Sequence, residues 1–411
     1  MSFGLLGRTL GHSFSPQIHA QIGDYNYQLF EVEPMDITAF FEGSDWQGIN
    51  VTIPYKETVM PYCDEIDEKA QRIGCVNTIV RRKDGSLFGT NTDYDGLAFA
   101  LDNAGIAIEG RKCLVLGNGA TSKTVTTVLT DKGAREVIVF GRHDAVPYSD
   151  IALHHDAEVI VNATPVGMYP NNGSRLIELN GFEHLEACFD VIYNPHRSRF
   201  LLDAERRGVT VCDGLPMLVA QAVFAAKYFI GLEDVEAHIA PILSRMVEDD
   251  ENIVLIGMPG VGKTTVGEAL AARLGRRFID IDSAVEETYG SVPDYINTHG
   301  IDAFRAVETE AIATCGKEHG LVIATGGGSV TVPANKDLLR QNGRIYWIER
   351  PLEALPTDGR PLSAGGLTTL RRLYEERLAC YTDFADHRLN NDDVEQTVSQ
   401  ILEDFHEAMH H

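Results

Sequence analysis

Two glycine-rich stretches carry the residues best suited to handle phosphate. In GMPGVGKTT, Gly257, Gly260 and Gly262 lead into Lys263, Thr264 and Thr265, with the spacing GxxxxGK followed by a hydroxyl residue. Such glycines let backbone N–H groups turn inward onto phosphate oxygens, the lysine neutralises the outer phosphates, and the Thr264 hydroxyl is placed to ligate Mg²⁺. An apolar run, IVLI, precedes the loop and a helix-compatible run follows it, the strand–turn–helix order that a nucleotide-phosphate site requires. Further on, Asp280 and Asp282 alternate at a strand end and face one side. One carboxylate suits the Mg²⁺ shell and the other a substrate hydroxyl. Arg305 and Glu308 then share a helical face at i, i+3. Gly326, Gly327 and Gly328 follow an apolar strand, where backbone can approach a ligand closely. Arg360 stands in the Gly/Pro-rich loop TDGRPLS, which reads as a mobile lid.

The first stretch, LVLGNGA, is a different device. Gly117, Gly119 and Ala120 follow the apolar run CLVL and open a helix, so a pyrophosphate can rest on the helix N-terminus. The next strand, EVIVF, runs into Gly141 and Arg142 where an acid would bind the ribose hydroxyls of NAD. An arginine there fits a ribose 2′-phosphate, and hence NADP.

These loops need parallel sheets with crossover helices to hold them, and apolar strands alternate with helical patterns along both parts of the chain. Before Lys112, FGLLG and QGINVTIP read as strands, and CVNTIVRR with SLFGTNTD as a hairpin or edge pair across Lys83–Gly85. LPMLVAQAVFAAKYFIG reads as a buried helix with a proline in its first turn. The acidic run RMVEDDEN, from Arg245 to Asn252, lacks an apolar period and is expected to link the two parts.

The chain has 411 residues, enough for two or three domains, and 35 Lys+Arg against 60 Asp+Glu give a net charge of −25. That field excludes binding to nucleic acid or an anionic membrane surface, but a few placed cations still hold a small anion. Seven scattered cysteines without a CxxC pair fit a reducing cytoplasm rather than a disulfide scaffold or zinc site. No apolar stretch approaches the roughly 18 residues of a membrane span. His12 and His19 lack partners for a metal site, so local hydrogen bonding is expected. Trp46 and Trp347 read as packing residues.

Taken in order, GMPGVGKTT, DID, FRAVE, GGG and GRPL resemble shikimate kinase over about residues 252–390. The resemblance gives Lys263 a catalytic role and Thr264 and Asp280 the metal. It assigns shikimate contacts to Asp282, Arg305, Gly327, Arg360 and a late arginine before a tyrosine. Arg377, in RLACY, fills that last role, with Arg371 and Arg372 as alternatives. The adenine-stacking arginine that the family often carries before the lid is absent from EALPTDG. Upstream, GHSFSPQIH, GINVTIPYKE, GCVNTI, GTNTDYDG, VNATPVGM, DVIYNP and DGLPMLVAQA resemble shikimate dehydrogenase over about residues 1–245. This implies a catalytic pair, Lys56 and Asp93. Ser13 and Ser15 would hold the substrate carboxylate, Thr52, Asn77 and Gln221 its hydroxyls and ring, and Tyr193 a further contact. Ala163, Thr164, Val166 and Met168 would pack on the nicotinamide side, Gly214 would join the cofactor site, and Met217 would line the same cleft.

The implied architecture is α/β throughout. A substrate-binding domain would comprise residues 1–102 and 214–245, and a Rossmann-like NADP domain 103–213. A linker at 246–251 would lead to a P-loop kinase domain, 252–411, with a parallel sheet. The implied function is NADPH-dependent reduction of 3-dehydroshikimate to shikimate, then phosphorylation of shikimate with ATP and Mg²⁺. The rivals are a non-catalytic sensor or repressor descended from such enzymes, and a quinate or shikimate dehydrogenase using NAD. The expected partners are small molecules in the cytoplasm, with monomer and homodimer both open.

Overall fold

A computed structural model describes residues 2–11, 13–43, 45–355 and 366–407. The chain forms two compact units, Met1–Leu243 and Ser244–His411.

The first unit holds two sheets. One takes β1 (Ser2–Gly7), β2 (Tyr27–Glu31), β3 (Trp46–Val51), β4 (Glu65–Ile66), β5 (Thr78–Arg81) and β6 (Leu87–Thr90) in the order β2-β1-β3-β5-β6-β4. β1 runs parallel to β2 and β3, whereas β5 is antiparallel to β3 and β6. The expected hairpin is β5–β6, closed in register Arg81↔Leu87 through a turn in which Gly85 adopts φ 91°. It lies inside the sheet rather than at its edge, because β4 adds beyond β6. Leu6, Ile49, Val51 and Ile79 pack beneath it with Trp46.

The other sheet takes β7 (Lys112–Leu116), β8 (Glu136–Phe140), β9 (Val159–Asn162), β10 (Ala187–Asp190) and β11 (Thr210–Cys212), all parallel, in the order β11-β10-β9-β7-β8. Its central strands β7, β9 and β10 are buried along their whole length, the pattern of a sheet covered on both faces. The chain order reverses on either side of β7, so the turns after β7 and β9 flank a switch-point crevice where ligands bind in such sheets. Helix Leu215–Ile230, with Pro216 in its first turn, lies against helix Thr92–Asn103. Gly96 makes that approach feasible: a Cβ there would lie 2.6 Å from the Met217 carbonyl oxygen.

The second unit is built on β12 (Asn252–Ile256), β13 (Phe278–Asp280), β14 (Val322–Ala324), β15 (Gly343–Glu349) and β16 (His387–Asn390), parallel in the order β13-β14-β12-β15-β16. Ile253, Val254, Leu255 and Ile256 of the central strand are fully buried, with Trp347 in the same core.

One expectation is corrected here. The acidic run placed at 246–251 as a linker is helical: helix Val235–Asp250 passes through it, and Glu251 alone separates that helix from β12. Its apolar face is Ile239, Ile242 and Met246, all buried, spaced three and four residues apart. A window opening at Arg245 catches only Met246 of that apolar face, too little to show its period.

Candidate active sites

In the first unit, Lys56 lies beyond β3 and Asp93 sits in the first turn of helix Thr92–Asn103. Asn91 caps that helix by accepting from the Tyr94 N–H at 3.2 Å, and Asn77, just before β5, accepts from the Thr92 N–H at 2.7 Å. These two bonds fix the helix start, and with it the Asp93 carboxylate. Lys56 Nζ donates to Asp93 Oδ2 at 2.6 Å, with side-chain exposures of only 13% and 10%. Burial works against the Lys56 ammonium, but the charge and hydrogen bond of Asp93 outweigh it and raise its pKa. Lys56 therefore stays protonated, a held proton beside an internally compensated charge.

The other expected substrate contacts come from separate segments. Ser13 Oγ accepts from the Ser15 N–H at 3.2 Å, and Ser15 is buried. Phe14, between them, packs its ring 5.2 Å from that of Tyr193 on the turn after β10. Burial pushes the Tyr193 phenol up, so it remains a donor. Gln221 is buried on helix Leu215–Ile230, and its Cβ lies 2.9 Å from where a side chain on Gly96 would begin. Thr52 follows β3 and packs beside Gly7. His19 has the local role expected: Nδ1 meets the Tyr25 hydroxyl at 2.5 Å, its ring stacks on Tyr27 at 3.8 Å, and burial lowers its pKa to about 3. His12 lies outside the described residues.

The cofactor loop is where the switch point puts it. Gly117 has φ 109°, and a Cβ there would stand 2.5 Å from Thr164 Cγ2, so the turns after β7 and β9 touch. Around Gly119, which opens helix Ala120–Asp131, nothing lies within 4 Å of a built Cβ. That open backbone is what a pyrophosphate needs. Asn118 donates to the His143 carbonyl, which ties the glycine loop to the turn carrying exposed Arg142. Met168 is half-exposed on the 163–168 turn, and Met217 is buried in the core. Gly214 admits no side chain, since a Cβ would fall 2.1 Å from the Val191 carbonyl oxygen.

In the second unit, Gly257, Gly260 and Gly262 take φ values of 148°, 91° and 96°, which L side chains rarely adopt. They fold the loop around Lys263, whose Nζ donates to the carbonyls of Gly257 at 2.9 Å and Met258 at 3.1 Å. Thr264 Oγ1 donates to Asp280 Oδ2 at 2.9 Å, while Thr265 is exposed one residue further along helix Lys263–Leu274. Asp280 also caps helix Ile281–Tyr289, accepting from the Asp282 N–H at 3.0 Å. Asp282 is pushed up to about 6, chiefly by burial and then by Glu308 and Asp280, against the pull of Lys263 and Arg305.

Arg305 Nη1 donates to the buried Glu308 at 2.5 Å. Glu308 also accepts from Ser329, which fixes the 326–329 turn beside Arg305. A Cβ on Gly327 would lie 2.5 Å from Pro259 Cδ, so the substrate-side turn touches the phosphate loop. The Gly327 carbonyl accepts from Arg377 at 2.9 Å and from Tyr381 at 2.5 Å. Arg371 and Arg372 are exposed and pair with Glu353 and Glu376. Of the three late arginines, Arg377 is the one brought to the glycine turn. Tyr381, one helical turn on, was findable from that spacing. Arg360 lies outside the described residues.

A parallel sheet with a glycine turn at its switch point and a lysine–aspartate pair nearby defines a nicotinamide-dependent oxidoreductase. A phosphate loop with a hydroxyl–carboxylate pair beside it is the arrangement of a phosphotransferase. Residues 5–79 match the model of the shikimate dehydrogenase substrate binding domain, and residues 259–408 that of shikimate kinase. The shikimate dehydrogenase (NADP(+)) of Clostridium perfringens is 35% identical over 252 residues, covering 56% of this chain and 93% of that protein. A chorismate mutase/shikimate 5-dehydrogenase fusion from Clostridium acetobutylicum superposes with TM-score 0.55 at 34% identity, over 60% of this chain and 96% of the other. Shikimate 5-dehydrogenase from Thermus thermophilus, solved with NADP(H) and shikimate, superposes with TM-score 0.53 at 31% identity, over 59% and 100%. The chain belongs to the shikimate dehydrogenase family and carries a shikimate kinase domain behind it, a bifunctional enzyme of the shikimate pathway. No described helix is long and apolar enough to cross a membrane.

Proposed function

We propose that the first unit reduces 3-dehydroshikimate to shikimate with NADPH and that the second phosphorylates shikimate with MgATP. The observation that carries the first step is the Lys56–Asp93 pair at 2.6 Å in a nearly closed setting. NADPH supplies the hydride when bound. Reduction of the ketone leaves an oxygen that must take a proton, and Lys56 holds one at Nζ, kept there by Asp93. General acid catalysis of this kind is worth about 10²–10⁴-fold. Ser13 and Ser15 receive the ring carboxylate, and Thr52, Asn77, Gln221 and Tyr193 orient the ring. Gly117, Gly119, Ala120 and Gly214 leave backbone open to the dinucleotide, Thr164 and Met168 flank the nicotinamide, and Arg142 meets the 2′-phosphate.

For the second step, Thr264 and Asp280 offer two hard oxygen ligands 2.9 Å apart, which fits Mg²⁺. Mg²⁺ and ATP supply the polarised phosphoryl group when bound. Lys263 exchanges its two loop carbonyls for phosphate oxygens, and Gly257, Gly260, Gly262 and Thr265 line the same cradle. Arg305, Arg377 and, from the lid, Arg360 receive the shikimate carboxylate beside Gly327. Asp282 accepts the proton of the attacking hydroxyl.

Incubating the chain with 3-dehydroshikimate, NADPH and MgATP should yield shikimate 3-phosphate by mass, with one NADPH consumed per product. NADPH consumption without a phosphorylated product refutes the second assignment, and no consumption refutes the first. Arg142→Ala should slow turnover with NADPH about tenfold, the loss of one charge-assisted bond, and leave NADH turnover unchanged. Equal use of NADPH and NADH by the unaltered chain refutes the reading of Arg142.

A further inference from the structure

Asp190 ends β10 with no solvent exposure, and the chemistry above does not use it. Its Oδ1 accepts from the Asn162 side-chain amide at 3.0 Å and from the Ile192 N–H at 3.0 Å, and its Oδ2 accepts from the Ser198 hydroxyl. The donors belong to two ligand-facing turns. Asn162 ends β9, and its own Oδ1 accepts from the N–H and hydroxyl of Thr164 at 3.1 and 2.7 Å, while Nδ2 reaches the Val166 carbonyl at 3.3 Å. It thus sets the course of the 163–168 turn. Ile192 and Ser198 bracket the stretch that presents Tyr193, and Ser198 caps helix Arg199–Glu205.

The carboxyl is kept at a cost. Burial pushes it up to about 7 in spite of three donors, and Asp213 adds to the push. Asp213 is itself bonded to His196 at 3.0 Å. The other titratable neighbour is the Cys188 thiol on the same strand, itself near Arg207. An apolar residue would fill this space more cheaply, so what the carboxylate contributes is its bonds to both turns.

We propose that Asp190 is a positioning residue that couples cofactor binding to substrate binding in the dehydrogenase unit, by fastening the 163–168 turn and the Tyr193 turn to one buried carboxylate. The inference rests on the proposed dehydrogenase reading. Ordering either turn by its ligand then lowers the cost of ordering the other, and the coupling is reciprocal.

The test is NADPH binding by fluorescence to the full chain, with and without saturating shikimate. Neither partner can reduce the other, and NADPH reports the dehydrogenase unit alone. Shikimate should tighten NADPH binding about tenfold. Asp190→Ala should bring that ratio to about one. Asp190→Asn should restore it, since its amide oxygen accepts from Asn162 and Ile192 while its NH₂ donates to Ser198. Should Asp190→Ala not fold, as judged by circular dichroism and unfolding at ambient temperature, Ser198→Ala takes its place and should reduce the ratio. A ratio of one in the unaltered chain, or an unchanged ratio in the folded variant, overturns the proposal. Failure of the unaltered chain to bind NADPH at all sinks the dehydrogenase reading, and the coupling with it.

Discussion

In the dehydrogenase unit the groups assigned to the ring acid are hydroxyls, amides and a phenol: Ser13, Ser15, Thr52, Asn77, Gln221 and Tyr193. Its charged pair, Lys56 and Asp93, compensates itself at 2.6 Å. In the kinase unit the groups assigned to the same ring acid are Arg305, Arg377 and Asp282, next to Lys263 and glycines folded into left-handed backbone. The contrast follows from the reactions proposed. Hydride transfer to a ketone generates one alkoxide and needs one proton, so neutral donors suffice for binding. Phosphoryl transfer gathers several negative charges in one place, and only fixed cations and inward N–H groups offset them.

The sharpest way to break this comparison is to remove each lysine in turn. Lys56→Ala should cost about 10²–10⁴-fold in NADPH oxidation and leave phosphorylation of added shikimate intact. Lys263→Ala should cost phosphorylation about 10²–10³-fold and spare the reduction. Separate coupled assays read both, and loss of both activities in either variant shows that the sites are not independent. A smaller effect separates charged from neutral recognition. Arg377→Leu should raise the kinase KM for shikimate about 10–100-fold, whereas Ser13→Ala should raise the dehydrogenase KM about 3–10-fold, since bonds to charged groups are worth roughly twice neutral ones. Equal effects would erase the distinction.

A further effect, of about tenfold, concerns pH. Asp282 sits at about 6 in the folded chain and must be ionised to accept a proton. Kinase kcat/KM should therefore fall as pH drops through about 6, by about one order of magnitude between pH 7 and pH 5. Stability moves the other way. A carboxyl raised by folding binds its proton more tightly in the native state, so this group adds stability as pH falls from above 6 towards its unfolded value. Asp282→Asn should flatten both profiles. A kinase profile that keeps its acid limb in that variant assigns the limb elsewhere.

The phosphate loop was legible because its geometry is local: the glycines, Lys263 and Thr264 lie within a few residues, and the flanking strand and helix are written in the same window. Asp280 was legible as a strand-end acid for the same reason, but Asp282 does not alternate with it on a strand: β13 ends at Asp280, and Asp282 stands in the first turn of helix Ile281–Tyr289, which Asp280 caps. Lys56 and Asp93 were not readable from spacing, since 37 residues separate them and only the sheet between them brings them together; the family resemblance supplied the pair. Asp190 gave no signal beyond an acid closing an apolar strand, and its partners come from two other turns. The late arginine was ambiguous because Arg371, Arg372 and Arg377 share one helix. Which of them faces Gly327 depends on how that helix packs.

Gly327 constrains how the kinase half can change over generations. Any replacement of a glycine by another residue adds a Cβ, and at this position that carbon would fall 2.5 Å from Pro259 in the phosphate loop. The same residue's carbonyl holds Arg377 and Tyr381. A side chain at this turn therefore requires Pro259 or the turn itself to move, so the two loops are constrained to change together.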